Sequence, residues 1–115
     1  MKLLTARLRK QLLKNGAQSA DTTADITFDP WPVVKFFNPA GIGTWLITEA
    51  DPHQPDRLFG LCDLGSPELG YVFLSDLAGI RLPGGLRIER DLHWKAAGPL
   101  SAYAEQARKT GRIVA

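Results

Sequence analysis

Cysteine is nearly missing from this sequence: Cys62 is the single one among 115 residues. No disulfide can close within the chain, and that usage fits a reducing compartment. Long hydrophobic runs are missing too. A membrane-crossing helix needs about 20 consecutive apolar residues, and here charges or turn residues intervene after a few. Lys2 and Arg7 bracket Leu3 and Leu4, so no signal-peptide hydrophobic region forms, and the expected location is the cytosol, without membrane contact. Charge of one sign is also scarce, with a net of +2; a balance so near neutral predicts little about partners. There is no internal repeat and no low-complexity tract. Gly41-Ile42-Gly43 and Pro83-Gly84-Gly85 are turn glycines, because neither sits in a strand–glycine–helix arrangement with a following lysine.

What remains is ordinary globular composition, 44% hydrophobic and 23% charged, at a length that suits one domain and one sizeable core. The charge is unevenly placed. Lys2, Arg7, Arg9, Lys10 and Lys14 precede any carboxylate, so the first 14 residues form a basic segment.

Thr5 reads as an N-cap, and Leu4, Leu8 and Leu12 recur at a spacing of four, predicting an amphipathic helix over residues 6–14. Asn15-Gly16 reads as its stop signal. Residues 17–30 are small, polar and aperiodic and are expected to be a flexible loop pinned by Ile26 and Phe28. Short apolar runs separated by Gly and Pro then predict strands over 33–37, 43–49, 57–64, 69–74 and 86–94. The first carries apolar residues on both faces and reads as a central strand. Residues 51–56, with two prolines, read as an exposed loop. Ser75 reads as the cap of a single helical turn over 75–79. In the last strand Leu86, Ile88, Leu92 and Trp94 are expected to point inward, with Arg90 breaking the alternation. Gly98-Pro99 opens a closing helix that Gly111 stops. The expected class is α+β: a mainly antiparallel sheet of about five strands with an N-terminal and a C-terminal helix packed on it.

With these elements placed, the chain resembles a small bacterial family known only as domain of unknown function 2958. The resemblance is carried by Met1-Lys2-Leu3-Leu4-Thr5, Lys35-Phe36-Phe37-Asn38-Pro39, Thr44-Trp45 with Thr48-Glu49, and Phe59-Gly60-Leu61. It continues through Glu68-Leu69-Gly70-Tyr71 with Leu74 and Leu77, Glu89-Arg90-Asp91 and Pro99-Leu100-Ser101. The polar 17–30 segment and the shortened stretch between the second and third strands depart from it. The resemblance implies plasmids and related mobile DNA as a setting, and it implies no catalytic roles.

Several residue groups carry candidate chemistry. Glu49, Asp51 and His53 could offer carboxylate and imidazole ligands to a metal, although their spacing matches no recognised ligand set, and a solvated loop has the same composition. Glu89, Asp91 and His93 alternate, so a strand would show all three on one face, fit for acid–base work or for a surface ion-pair ladder with Arg87 and Lys95. Glu49, Glu89, Asp91 and His93 together would suit a metal-dependent hydrolase or nuclease if they converged. Arg90, forced inward, is expected to pair with a carboxylate such as Glu68 or Glu49. Cys62 reads as a small buried hydrophobe. Arg7, Lys10 and Lys14 form a basic helix face able to meet phosphates, without aromatic residues interleaved in sequence. Trp31, between two prolines, is the aromatic expected to stay outside and mark a protein-binding patch.

The expectation from sequence is therefore a non-enzymatic interaction module, an accessory protein of mobile DNA that binds a protein partner, for example as an anti-defence inhibitor. Two alternatives stand beside it: a metal-dependent hydrolase or nuclease using Glu49, Glu89, Asp91 and His93, and weak nucleic-acid binding through the basic N-terminal helix. No catalytic residue, metal or cofactor is assigned; the binding candidates are Arg7, Lys10, Lys14, Trp31 and Arg90.

Overall fold

Strand β2 (Thr44–Asp51) organises the fold because both of its faces are apolar. Trp45 and Ile47 belong to one hydrophobic cluster and Leu46 to another, as the two-residue period of a strand dictates. A strand buried on both faces needs a covering layer on each side. In the computed structural model, which describes residues 2–21 and 27–115, helix α1 (Ala6–Ala20) covers the first face. Helix α3 (Leu100–Thr110) covers the second. Leu12 of α1 joins the Trp45 side, and Leu100 and Ala107 of α3 join the Leu46 side.

The remaining strands are β1 (Val34–Phe37), β3 (Gln54–Asp63), β4 (Pro67–Phe73) and β5 (Glu89–Arg90). They order as β4-β3-β2-β1-β5, and every neighbouring pair is antiparallel. The fold is α+β, a five-stranded sheet with one helix at each end of the chain. A short helix α2 (Leu74–Gly79) and a 3-10 turn at Pro83–Gly85 connect β4 to β5. Among the described residues no helix is long and apolar enough to cross a membrane.

Thr5 caps α1 as its sequence suggests, its hydroxyl accepting the Leu8 N–H at 3.2 Å. The helix nevertheless runs past Asn15-Gly16 to Ala20, so residues 17–20 are helical and not loop; residues 22–26, with Ile26, lie outside the described residues. The reason is tertiary. Gly16 lies directly against β2, where a Cβ would collide with the Ala50 carbonyl oxygen. Its missing side chain serves a close approach, not a left-handed cap. Asn15 is buried beside it and donates to the carbonyl of Thr48 at 2.9 Å.

Thr48 needs that donor because it is a surplus residue. Ile47 pairs with Gly60 and Glu49 with Phe59, so the ladder spends two steps on β2 for one on β3, a β-bulge. The bulge also keeps Ile47 and Ala50 in the same cluster although they are three apart. In a regular ladder Glu49 would share the face of Trp45 and Ile47 and be driven under α1.

Both later helices begin with Leu-Ser and borrow an aspartate from elsewhere. Asp56 accepts the Ser75 N–H at 3.0 Å and its hydroxyl at 2.6 Å. Asp29 does the same for the Ser101 N–H, at 3.2 Å, and hydroxyl. Ser75 is therefore not itself the cap: it sits inside α2, after Phe73, which has no capping side chain. Residues 51–56 also differ from the loop expected. Asp51 accepts the His53 N–H at 2.8 Å, so an Asx turn closes a β2–β3 hairpin at Pro52 and His53. Pro55 falls where the pairing skips from Asp51–Gln54 to Ala50–Leu58, a place where its lost donor costs no ladder bond.

The last strand is far shorter than its alternation implies. Only Glu89 and Arg90 pair, with Phe37 and Phe36. Asp91 then turns the chain, accepting the His93 N–H at 3.3 Å on its side chain and the Trp94 N–H at 3.4 Å on its carbonyl. Leu86 and Leu92, expected inward, are 41% and 59% exposed; Ile88 alone of the alternating set is fully buried.

Candidate basic and aromatic cleft

The amphipathic period of α1 places Leu8 and Leu12 toward the sheet and turns Arg7, Lys10 and Lys14 outward. Alone, that basic side would be a solvated helix face. The fold changes its meaning by bringing two other segments alongside. Trp31, which precedes β1, and Arg90, the last residue of β5, with Asp91, Leu92, Trp94, Lys95 and Ala96 after it, form the opposite wall. A cleft of about 740 Å³ opens between them.

Five cations line it: Arg7, Lys10 and Lys14 from α1, then Arg90 and Lys95 from the opposite wall. Among the described residues Asp91 is the only carboxylate in that lining, and Lys35 Nζ lies 3.7 Å from it. Among the described residues none of Arg7, Lys10, Lys14 and Lys95 makes an ion pair. The local field is therefore positive even though the chain is nearly neutral.

Two indole rings share the cleft. Trp31 is 56% exposed, and Pro30 and Pro32 on either side restrict its backbone. Trp94 is partly buried and leans on Tyr103 of α3, with ring centroids 6.0 Å apart and planes at 51°. The Tyr103 hydroxyl in turn accepts the Ala97 N–H at 2.8 Å. One ring is thus open and the other braced.

All five binding candidates from the sequence, Arg7, Lys10, Lys14, Trp31 and Arg90, line this one cleft. Arg90 is not the carboxylate partner expected of it. Its Nη1 donates to the main-chain carbonyls of Lys2 and Leu3, at 3.2 and 2.9 Å, and so ties the segment before α1 to β5. Carbonyl acceptors satisfy the guanidinium without neutralising it, leaving its charge available to the cleft. Trp94 and Lys95 were not singled out by the sequence: one reads as an inward strand residue, the other as part of an ion-pair ladder. No local pattern reveals them, because 60 or more residues separate them from Arg7 and Trp31.

The carboxylates expected to serve a hydrolase are dispersed. Glu89 pairs with Phe37, which pairs with Thr44. Glu49 lies five residues further along β2, roughly 16 Å at strand rise, and two strands across. Glu89, Asp91 and His93 do not share a strand face, since the strand ends at Arg90. Asp51 is engaged in the hairpin turn and with Arg57, at 3.4 Å. Among the described residues no group of three or more His, Cys, Asp or Glu could hold a metal ion.

Glu49 instead borders a depression at the end of α1 with Ser19, Arg57 and Tyr71. Burial raises its carboxyl above the ordinary value; a Ser19 hydrogen bond opposes that shift, and the Asp51 charge adds to it. Burial likewise pushes the Cys62 thiol up to about 11, so the thiolate is scarce at neutral pH and the sulfur is chemically quiet.

A family model described as protein of unknown function (DUF2958) matches residues 3–114. No curated protein and no solved structure matches the chain.

Proposed function

The chain belongs to the DUF2958 family, and from that premise we propose that it is a non-catalytic binding module that holds a single-stranded nucleic acid in the cleft beside α1. One observation carries the reading: five cations and two tryptophans line the same recess, with one carboxylate among them. Phosphates displace counterions from lysine and arginine, which gives affinity without regard to sequence. Every base has a π-face, so an exposed indole adds stacking of about 1–3 kcal/mol per base. A single strand can offer both at once, since its bases are free to enter a recess while its backbone follows the charged wall.

The setting we propose is that of an accessory protein of mobile DNA, as the family resemblance implies. No residue is given a catalytic role in this reading, because the cleft brings no nucleophile beside a base.

A fluorescein-labelled 15-mer of deoxythymidine, followed by anisotropy, tests it. Binding is expected at 50 mM salt, weakening with a log–log slope of about −2 to −3, as three or four phosphate contacts would give. Replacing Arg7, Lys10 and Lys14 together by Glu should abolish it. Absence of binding at 50 mM salt, or affinity indifferent to salt, would sink the proposal.

A further inference from the structure

On the other side of α1 lies a second depression of different chemistry, about 730 Å³ in volume. Its floor is hydrocarbon: Leu3, Leu4 and Ile88, with exposures of 8%, 6% and 5%, extended by Leu13 and Leu74. Its rim is basic and, among the described residues, contains no carboxylate, the cations being Lys2, Arg9, Lys10 and Arg87. Arg87 is held in place by α2, donating to the Ala78 carbonyl at 2.9 Å. The groove thus runs between the start of α1 and α2, apolar at its base and positive along its edges.

We infer that this groove docks an acidic amphipathic helix of a protein partner. The argument is one of complementarity. Apolar side chains spaced at i, i+3, i+4 and i+7 would fill a groove of this kind, and glutamates flanking them would meet the cationic rim. Other occupants fit less well. A nucleic acid has no hydrocarbon face to match the floor. A flat lipid surface cannot follow a recess set between the start of α1 and α2. A second copy of this chain lacks a suitable helix: α1 carries no acid at all, α2 is a short helix with Asp76 as its only acid, and the one acid of α3, Glu105, lies 3.6 Å from Lys109.

The inference is independent of the nucleic-acid reading, which uses the opposite side of α1. Thr5 and Lys10 border both recesses, so both are left intact in the test. The probe is a synthetic 18-residue helical peptide with leucines at heptad spacing and glutamates beside them. A counterpart carries lysines instead. Calorimetry on the whole protein should give micromolar binding for the glutamate peptide and none for the lysine peptide. Amide shifts should cluster at Leu3, Leu4, Leu13, Leu74 and Ile88. Lys2→Glu with Arg9→Glu, both at exposed positions, should weaken the glutamate peptide at least tenfold while leaving oligodeoxythymidine affinity within about twofold. Equal binding of both peptides, no binding of either, or shifts centred on Trp31 and Trp94 would overturn the inference. So would capture by phosphatidylserine vesicles that the same double variant abolishes.

Discussion

The side-chain amide of Asn15 donates to the main-chain carbonyl of Thr48 at 2.9 Å, so a helix residue completes the hydrogen bonding of a strand bulge. Gln11 Nε2 donates to Asn15 Oδ1 at 3.0 Å from one turn earlier and fixes which end of the amide faces the sheet. Asn15→Ala leaves a buried carbonyl without a donor, and its expected cost is about 1–3 kcal/mol. Gln11→Ala removes only the outer bond of an exposed residue and should cost no more than about 0.5 kcal/mol. Urea unfolding of the two variants decides the point; equal losses would mean that the bulge does not depend on Asn15.

Gly16→Ala offers a test by sign. In a solvent-facing helix the change gains up to about 1 kcal/mol. Here the new methyl group would strike the Ala50 carbonyl, and overpacking against backbone typically costs about 1–3 kcal/mol. A lower melting temperature is expected. An increase would show that α1 does not rest on β2 at this position.

Arg90→Met should destabilise the protein by about 1–3 kcal/mol, because two carbonyls lose a charged donor. The loss should be local. Amide exchange is expected to accelerate at Leu3 and Leu4 before it does in β3, and uniform acceleration would argue against a tether.

Glu49 makes stability depend on pH in a defined direction. Its folded carboxyl lies above the ordinary 4.5 because burial disfavours the charged form. In the window above 4.5 the folded state therefore holds more proton than the unfolded one, and stability falls as pH rises through the folded value. Glu49→Gln should raise the melting temperature at pH 7, and the advantage should shrink as pH falls toward 4.5. A difference between the two proteins that stays constant from pH 7 to pH 4 would contradict this.

The two indoles of the cleft should separate binding from folding. Trp31→Ala is expected to leave the melting temperature almost unchanged while reducing oligodeoxythymidine affinity by about 1–3 kcal/mol. Trp94→Ala should reduce both, since it also abandons Tyr103. Anisotropy and calorimetric melting on the same preparations give the comparison.

The sequence was most legible where residues act on their neighbours. Thr5, Gly111 and the double-sided apolar run at Val33 to Phe37, a strand paired along both edges, read correctly, because caps and strand periods are local. It misled where a residue answers to a distant one. Asn15-Gly16 has the composition of a helix stop but is occupied by Thr48 and Ala50. Ser75 has the composition of a cap but is itself capped by Asp56. The alternation from Leu86 to Trp94 promised a long strand, yet β1 offers only four residues to pair with. For the cleft, Arg7, Lys10, Lys14 and Trp31 were visible singly. Their meeting with Trp94 and Lys95 was not, since no spacing within the chain encodes it.

The surplus residue in β2 also determines which changes in length the sheet can absorb. Deleting Thr48 would close the ladder and still leave Trp45, Ile47 and Ala50 on the side of α1, at the cost of the hydrogen bonds Thr48 makes with Asn15 and with the Phe59 carbonyl. Deleting Leu46 instead would set Trp45 and Ile47 on opposite sides and turn half of the strand inside out. Homologous chains one residue shorter in this region should therefore lack the residue at the bulge, and should carry something other than a buried amide at the helix position facing it.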